Sequence, residues 1–304
     1  MNLTKLLAAF LAAALGPLVL TGCSHSRPAQ LANELTFSLD GISALTVSYD
    51  EEDVTFYESG SSDLTVREYM TENKSSYHAK VDQHGGSIRI SEGGKPLFQG
   101  GFLRYIEVYL PASYREDLTV TTTDGDIDLA KLEAALHALR VDSTSGTVRL
   151  SAAEAQSIHL STTSGSLDAD RLDADTIRID TTSGSFSCEE LVGNISYTTT
   201  SGSADIRSAA GSGSYQASNS GALNVVYTEV TGDLSFYNKN DSICVTLPAD
   251  LEFEFEAVTK NGSVSTSFSE SLSASGTTTG GTVGGHPTVS VKAETNNGNI
   301  EVKQ

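Results

Sequence analysis

The chain has 304 residues, 38% of them apolar, with 19 basic against 39 acidic residues and a formal net charge of −20. That apolar content can build a sizeable core in one or two domains and excludes a wholly disordered chain. An acidic surface repels phosphate backbones and anionic head groups, which sets nucleic acid aside as a partner.

Residues 1–22 read as an address rather than as fold. Lys5 precedes an apolar run from Leu6 to Leu20, 15 residues long and short for a membrane span. LTGC at 20–23 follows it and resembles the lipobox of bacterial lipoproteins, in which Cys23 is the lipid attachment site. The expectation is an exported protein whose membrane partner is reached through acyl chains on Cys23, facing the extracellular or periplasmic side. Residues 23–35 read as a tether.

Everything from 36 to 304 reads as a single all-β domain. Residues 36–110 hold strand candidates without a clean period (ALTVSY, DVTFY, DLTVREY, GSIRIS), and are predicted to cap the first coils. Residues 111–268 are periodic. Taking the glycine of each T-S-G motif as reference gives Gly125, Gly146, Gly165, Gly184, Gly202 and Gly221, spaced 21, 19, 19, 18 and 19 residues apart. Asp241 stands in the next place, and Gly262 and Gly298 continue the series.

Around each reference the pattern alternates. Two and four residues after it stand apolar pairs such as Val148 and Leu150 or Phe186 and Cys188, and seven and five before it pairs such as Ile158 and Leu160 or Ile195 and Tyr197. This is the signature of half-buried strands, so each unit reads as two short strands joined at a corner. A fixed residue at every corner favours a parallel β-solenoid of 18–21 residues per coil over an antiparallel sandwich, right-handed by the usual crossover rule. Glycine is expected at the corners for its access to positive φ. Three residues upstream, Thr122, Ser143, Thr162, Thr181, Thr199 and Ser218 point inward by parity, where stacked hydroxyls can satisfy one another.

Two irregularities stand out. The run GSYQAS before Gly221 puts Ser214 and Gln216 where apolar residues belong, which predicts a bulge or a one-residue shift. VYLPASYREDLTVTTTDG at 108–125 echoes VTLPADLEFEFEAVTKNG at 245–262, with Pro111 and Pro248 each 14 residues before their corner. Beyond the regular coils, residues 269–287 are rich in Gly and Thr and read as a mobile loop, and 288–304 as the last strands.

The register sorts the chemistry. Cys188 falls inward and Cys244 outward three coils away, about 14 Å apart at ~4.8 Å per coil, so both are expected as free thiols. Corner serines such as Ser164 and Ser183 are not singled out from their copies, and no histidine recurs beside them, so no catalytic residue is assigned. Asp168, Asp170, Asp173 and Asp175 in DADRLDADT are candidates for a weakly held divalent cation, although the segment lacks the glycine and terminal glutamate of a calcium loop. A solvated acidic face is the plainer reading, and no cofactor is assigned. Most aromatic residues of the repeats fall inward, and Tyr49, Tyr57, Tyr69 and Tyr77 of the N-terminal region have no spacing that makes them a site.

The LPA step at 110–112, TTDGDIDL at 122–129, the serial TSG corners and TNNGNIEV at 295–302 resemble a family of bacterial adhesin-like, β-strand-repeat domains of unknown function. The resemblance spans about 38–304 and implies a fold near the pectate-lyase-like β-helices. It implies a non-enzymatic, lipid-anchored surface protein whose solenoid presents a binding or scaffolding surface to an envelope, polysaccharide or protein ligand. The alternatives are a carbohydrate-active enzyme using outward carboxylates, and an accessory or sensor of envelope stress.

Overall fold

A computed structural model describes residues 28–97, 100–268 and 272–304. The leader and Cys23 lie outside the described residues. Eight strands come first: β1 (Gln30–Ser38), β2 (Ala44–Ser48), β3 (Asp53–Ser59), β4 (Asp63–Met70), β5 (Lys80–His84), β6 (Ser87–Ser91), β7 (Arg104–Pro111) and β8 (Asp117–Thr121). Six long ones follow: β9 (Ile127–Ser143), β10 (Val148–Thr162), β11 (Ser166–Thr181), β12 (Ser185–Thr199), β13 (Ala204–Ala217) and β14 (Leu223–Asn238). The last are β15 (Ile243–Thr246), β16 (Phe253–Thr259), β17 (Val264–Thr266), β18 (Leu272–Ser275), β19 (Thr278–Val283), β20 (Val289–Thr295) and β21 (Ile300–Lys303).

The repeat register is the pairing register. Val148, Leu167, Phe186, Ala204, Leu223 and Ile243 face one another in turn across parallel strands. Ile158, Ile177, Ile195, Gly213 and Leu234 do the same on the other side of the corner. Apart from Gly213, these two columns are the apolar inner faces, and they are buried to 1% exposure or less. The chain is therefore an all-β parallel solenoid. The expected two short strands per unit are one long strand instead. The start of β9 pairs with β3 and its end with β8, so each long strand bends midway without leaving its hydrogen-bond ladder.

The corner glycines are required for a reason other than positive φ. Of the eight, only Gly221 has it, at φ 113°. At the others a Cβ would run into the carbonyl of the corner stacked beneath: Gly146 onto the Gly125 oxygen, Gly165 onto that of Gly146, Gly184 onto that of Gly165. At these glycines the Cβ would point along the stack into the rung ~4.8 Å beneath rather than off the sheet.

The inward hydroxyls serve the corner backbone more than one another. Thr162 Oγ1 and Thr199 Oγ1 accept the Gly165 and Gly202 N–H at 3.0 and 2.7 Å, and Thr181 to Thr199 at 2.8 Å is the one direct hydroxyl pair among them. Ser218 is the exception to the inward row. The predicted one-residue shift is real: Ala217 pairs with Thr199 and takes the inward place, Ser218 is exposed, and the extra residue is absorbed before Gly221. The same shift brings Tyr215 into the core, stacked on Phe236 at 4.9 Å with its hydroxyl 2.9 Å from that of Tyr227.

Both ends depart from sequence order. A rung here is a strand before a corner together with the strand after it. Rung β6/β7 lies outermost at the N-terminal end, β2/β3 next and β8/β9 third. At the other end the order is β14/β15, then β20/β21, then β16/β17. An ordinary step advances one rung, whereas β7 to β8 and β15 to β16 each advance two. These are the two LPA steps, and both use one turn: Tyr114 N–H donates to the Pro111 carbonyl at 3.0 Å and Leu251 N–H to that of Pro248 at 3.1 Å. The skipped places are filled by β2/β3 and by β20/β21.

The solenoid ends are closed by antiparallel strands. β4 lies against β7 with β1 against β4, β5 against β6, and the β18–β19 hairpin against β16. Covered edges do not template further pairing. Two sequence readings are corrected here. Residues 30–35 belong to β1 rather than to a tether, because Leu35 and Phe37 pack on the core. Residues 272–283 form a paired hairpin rather than a loop, since Gly and Thr leave the backbone N–H and C=O groups of β19 able to pair with β16 on one side and β18 on the other.

Candidate functional site

Midway between corners, on the bent part of each long strand, the side chains become small. Ala155, Ala174, Gly193 and Gly211 line up on successive rungs, with Ala152 and Ala210 beside them, and Gly193 and Gly211 take φ of 138° and 126°. A Cβ at Gly193 would strike the Ala174 carbonyl, and one at Gly211 the Gly193 carbonyl. Here positive φ and close backbone approach coincide, so glycine is needed on both grounds. The result is a shallow groove across β9 to β14, made of three adjoining hollows of about 400, 500 and 540 Å³.

The walls are charged. Glu133, Glu154, Asp173, Asp175 and Glu229 rim the groove, with Arg115 and Arg171 among them. Arg171 pairs with Asp173 at 2.7 Å and also bridges to Glu190. At one mouth His137 Nδ1 meets Asp117 Oδ1 at 2.6 Å. The hydrogen bond to that carboxylate, and then its charge, raise the imidazole pKa above its ordinary value.

The four aspartates read as cation candidates do not converge. Asp173 and Asp175 border the groove, Asp168 lies on the flank after the corner beside the Ser166 hydroxyl at 3.1 Å, and Asp170 is exposed. Among the described residues no three His, Cys, Asp or Glu side chains stand together as a metal group. Cys188 is buried and Cys244 half-buried, both unpaired, as their register requires. Burial pushes the Cys188 thiol up to about 12, so it is inert at neutral pH.

A second charged cluster sits inside the N-terminal cap. Glu52, only 5% exposed, occupies the place of a corner glycine and receives two hydrogen bonds from the buried Arg104. Lys95 and Glu92 close the cluster. Burial raises the Glu52 carboxyl, but its hydrogen bond with Glu92 and the charges of Arg104 and Lys95 outweigh that and hold it low. Glu92 is held high by its own burial and by Glu52. With both carboxyls enclosed by protein partners, this cluster braces the cap and offers a ligand little.

The tyrosines divide. Tyr49 and Tyr77 are buried, whereas Tyr57 and Tyr69, which sequence spacing left unconnected, point outward and stack on Tyr109 and Tyr105 from β7. The groove itself went unread. The runs AAEA at 152–155 and SAAGSG at 208–213, small residues midway between corners, are the signal that marked it.

Among the described residues no helix is long and apolar enough to cross a membrane. No curated protein matches the chain in sequence. Two solved structures described as a "putative adhesin" resemble it. One, from Bacteroides fragilis, is 12% identical over 89% of this chain and 96% of that one, with a TM-score of 0.42. The other, from Parabacteroides distasonis, is 13% identical over 88% and 96%, with a TM-score of 0.43. The Toastrack DUF4097 family model matches residues 42–303, from the first buried residue ahead of β2 to the end of β21. The stacked corners, the two-rung Pro steps and that match over nearly the whole described chain agree, and the chain belongs to the Toastrack DUF4097 family.

Proposed function

We propose that this is a non-enzymatic, lipid-anchored surface protein that uses the groove across β9 to β14 to hold an extended envelope or extracellular ligand. The groove carries the reading: it crosses six consecutive rungs, it is open along its length, and its small floor lets a chain-like ligand approach the backbone. The anchor rests on LTGC and Cys23. The walls support binding over catalysis. Acidic side chains recur from rung to rung without the singular placement of an acid and a base across a reacting bond.

The test uses the purified 24–304 fragment, with binding to isolated envelope polysaccharides and to whole cells measured by co-sedimentation. Ala152→Arg, which fills the groove from a half-buried position outside the core, should weaken binding at least tenfold without changing the melting temperature. New reducing ends or unsaturated sugar products would overturn the non-enzymatic reading. A mature protein extracted from membranes without acyl mass on Cys23 would overturn the anchor.

A further inference from the structure

The outward side of the cap differs from the rest of the solenoid. Leu31 is 49% exposed, Leu103 55% and Tyr105 39%, half of the six large apolar side chains left exposed among the described residues. They adjoin one another: Leu31 pairs across β1–β4 with Tyr69, Tyr69 across β4–β7 with Tyr105, and Leu103 stands two residues before Tyr105 on the same side. Tyr69 and Tyr105 stack at 4.7 Å. Beside them Tyr57 and Tyr109 stack at 5.1 Å, with Lys131 4.5 Å over one ring and Arg67 4.9 Å over the other. Of the acidic neighbours, Glu34 is engaged by Arg67 at 2.7 Å and Glu107 by the Tyr109 hydroxyl at 2.9 Å, and Asp53, which faces Tyr105 from β3 at the margin toward the coils, accepts the Asp126 N–H at 3.0 Å.

The patch stops where the regular coils begin. Further along the same ladder the outward column reads Asp128, Arg149, Asp168, Ser187, Asp205 and Asn224. On the other side of the cap β5 offers one apolar side chain, Val81, among Lys80, Asp82, Gln83 and His84.

Leucines beside tyrosine rings, with polar tips and cations at the margin, are the side chains that settle at a lipid–water boundary. The position of the anchor selects that occupant. Six residues separate Cys23 from Gln30, seven chain steps with a reach of at most about 25 Å, and Leu31 is the next residue of β1. A lipid on Cys23 holds this face within reach of the bilayer and no other end of the solenoid.

We propose that the outer face of β1, β4 and β7, centred on Leu31, Tyr69, Tyr105 and Leu103, rests on the membrane surface and orients the acidic coils away from it. This rests on the lipid-anchor reading. Membrane contact ends at the cap. Val226 on β14, seven strands along the ladder and about 34 Å away, stays in water.

The chain has no tryptophan, so single substitutions make their own reporters. Leu31→Trp, Leu103→Trp and, as control, Val226→Trp are introduced into the full lipidated protein, reconstituted into zwitterionic phosphatidylcholine vesicles with and without brominated acyl chains. Emission from L31W and L103W should fall at least twofold with brominated lipid and that from V226W should not change. Protein that floats with the vesicles while neither cap reporter is quenched overturns the docked face and leaves the anchor standing. Equal quenching of all three overturns it as well. Protein that does not float overturns the anchor and this proposal with it.

Discussion

Arg104 Nε and Nη2 donate to the same oxygen of Glu52, at 3.1 and 2.7 Å, from the rung outside the one Glu52 belongs to. The guanidinium side chain has no exposed surface, and its remaining nitrogen reaches the carbonyls of Tyr77 and Gly94. One side chain therefore ties the outermost rung, the turn at Tyr77 and the corner at Glu52 together. Arg104→Met keeps the volume and removes the charge, leaving Glu52 with Lys95 alone. It should cost about 3–5 kcal/mol in urea unfolding, the usual consequence of orphaning a buried charge.

The same cluster fixes a pH dependence. Glu92 has a raised folded pKa, so its contribution to stability is complete below the unfolded value and is lost as pH rises through the folded one. Glu52 has a lowered folded pKa, so its contribution is present above the unfolded value and is lost as pH falls through the folded one. From this cluster stability should rise as pH falls through the raised Glu92 value and fall again once Glu52 begins to take up a proton. Glu92→Gln stays neutral and keeps the hydrogen bond toward Glu52. Its urea midpoint should climb less than the native one as pH falls, by the part that Glu92 contributes.

Gly184 tests the corner. A Cβ there meets the Gly165 carbonyl and lies 2.6 Å from Thr162 Cγ2, so Gly184→Val should destabilise by about 1–3 kcal/mol or more in thermal unfolding. Ser185→Ala, one residue along and exposed, should stay within about 0.5 kcal/mol. Gly184 lacks positive φ. At Gly193, with φ 138°, D-alanine placed by chemical synthesis should recover part of what L-alanine loses.

Tyr215 and Tyr227 share a buried hydrogen bond of 2.9 Å that nothing else replaces. Tyr227→Phe should cost about 1–3 kcal/mol by leaving the Tyr215 hydroxyl unpaired, and the double Phe variant should recover part of it. Chemical denaturation of the three variants checks the cycle.

The corners, the inward columns and the shift at Gly221 were legible because each is a local pattern repeated at a fixed interval. Corner glycine was rightly located on a mistaken ground. Periodicity shows that Gly184 is needed, but only stacked coordinates show that the Gly165 carbonyl excludes a side chain. The groove was missed because Ala155, Ala174 and Gly193 carry no chemistry of their own and matter only in a column. The tyrosine face was missed because Tyr69 and Tyr105 are 36 residues apart and meet across an antiparallel pair outside the repeat. Order at the ends was hidden for a similar reason. The LPA echo was visible, but that each step clears two rungs depends on strands that come from elsewhere in the chain.

Those two-rung steps give the molecule an order of completion. As the chain leaves a ribosome or a translocation pore, β16 and β17 emerge with their neighbouring place still vacant, and nothing made so far can fill it. β20 and β21, made later, arrive to close it, so the rung beyond the gap is laid down before the rung that fills it. Until they do, β14/β15 and β16/β17 share no hydrogen-bond ladder, so this end of the sheet cannot be built one rung at a time in chain order.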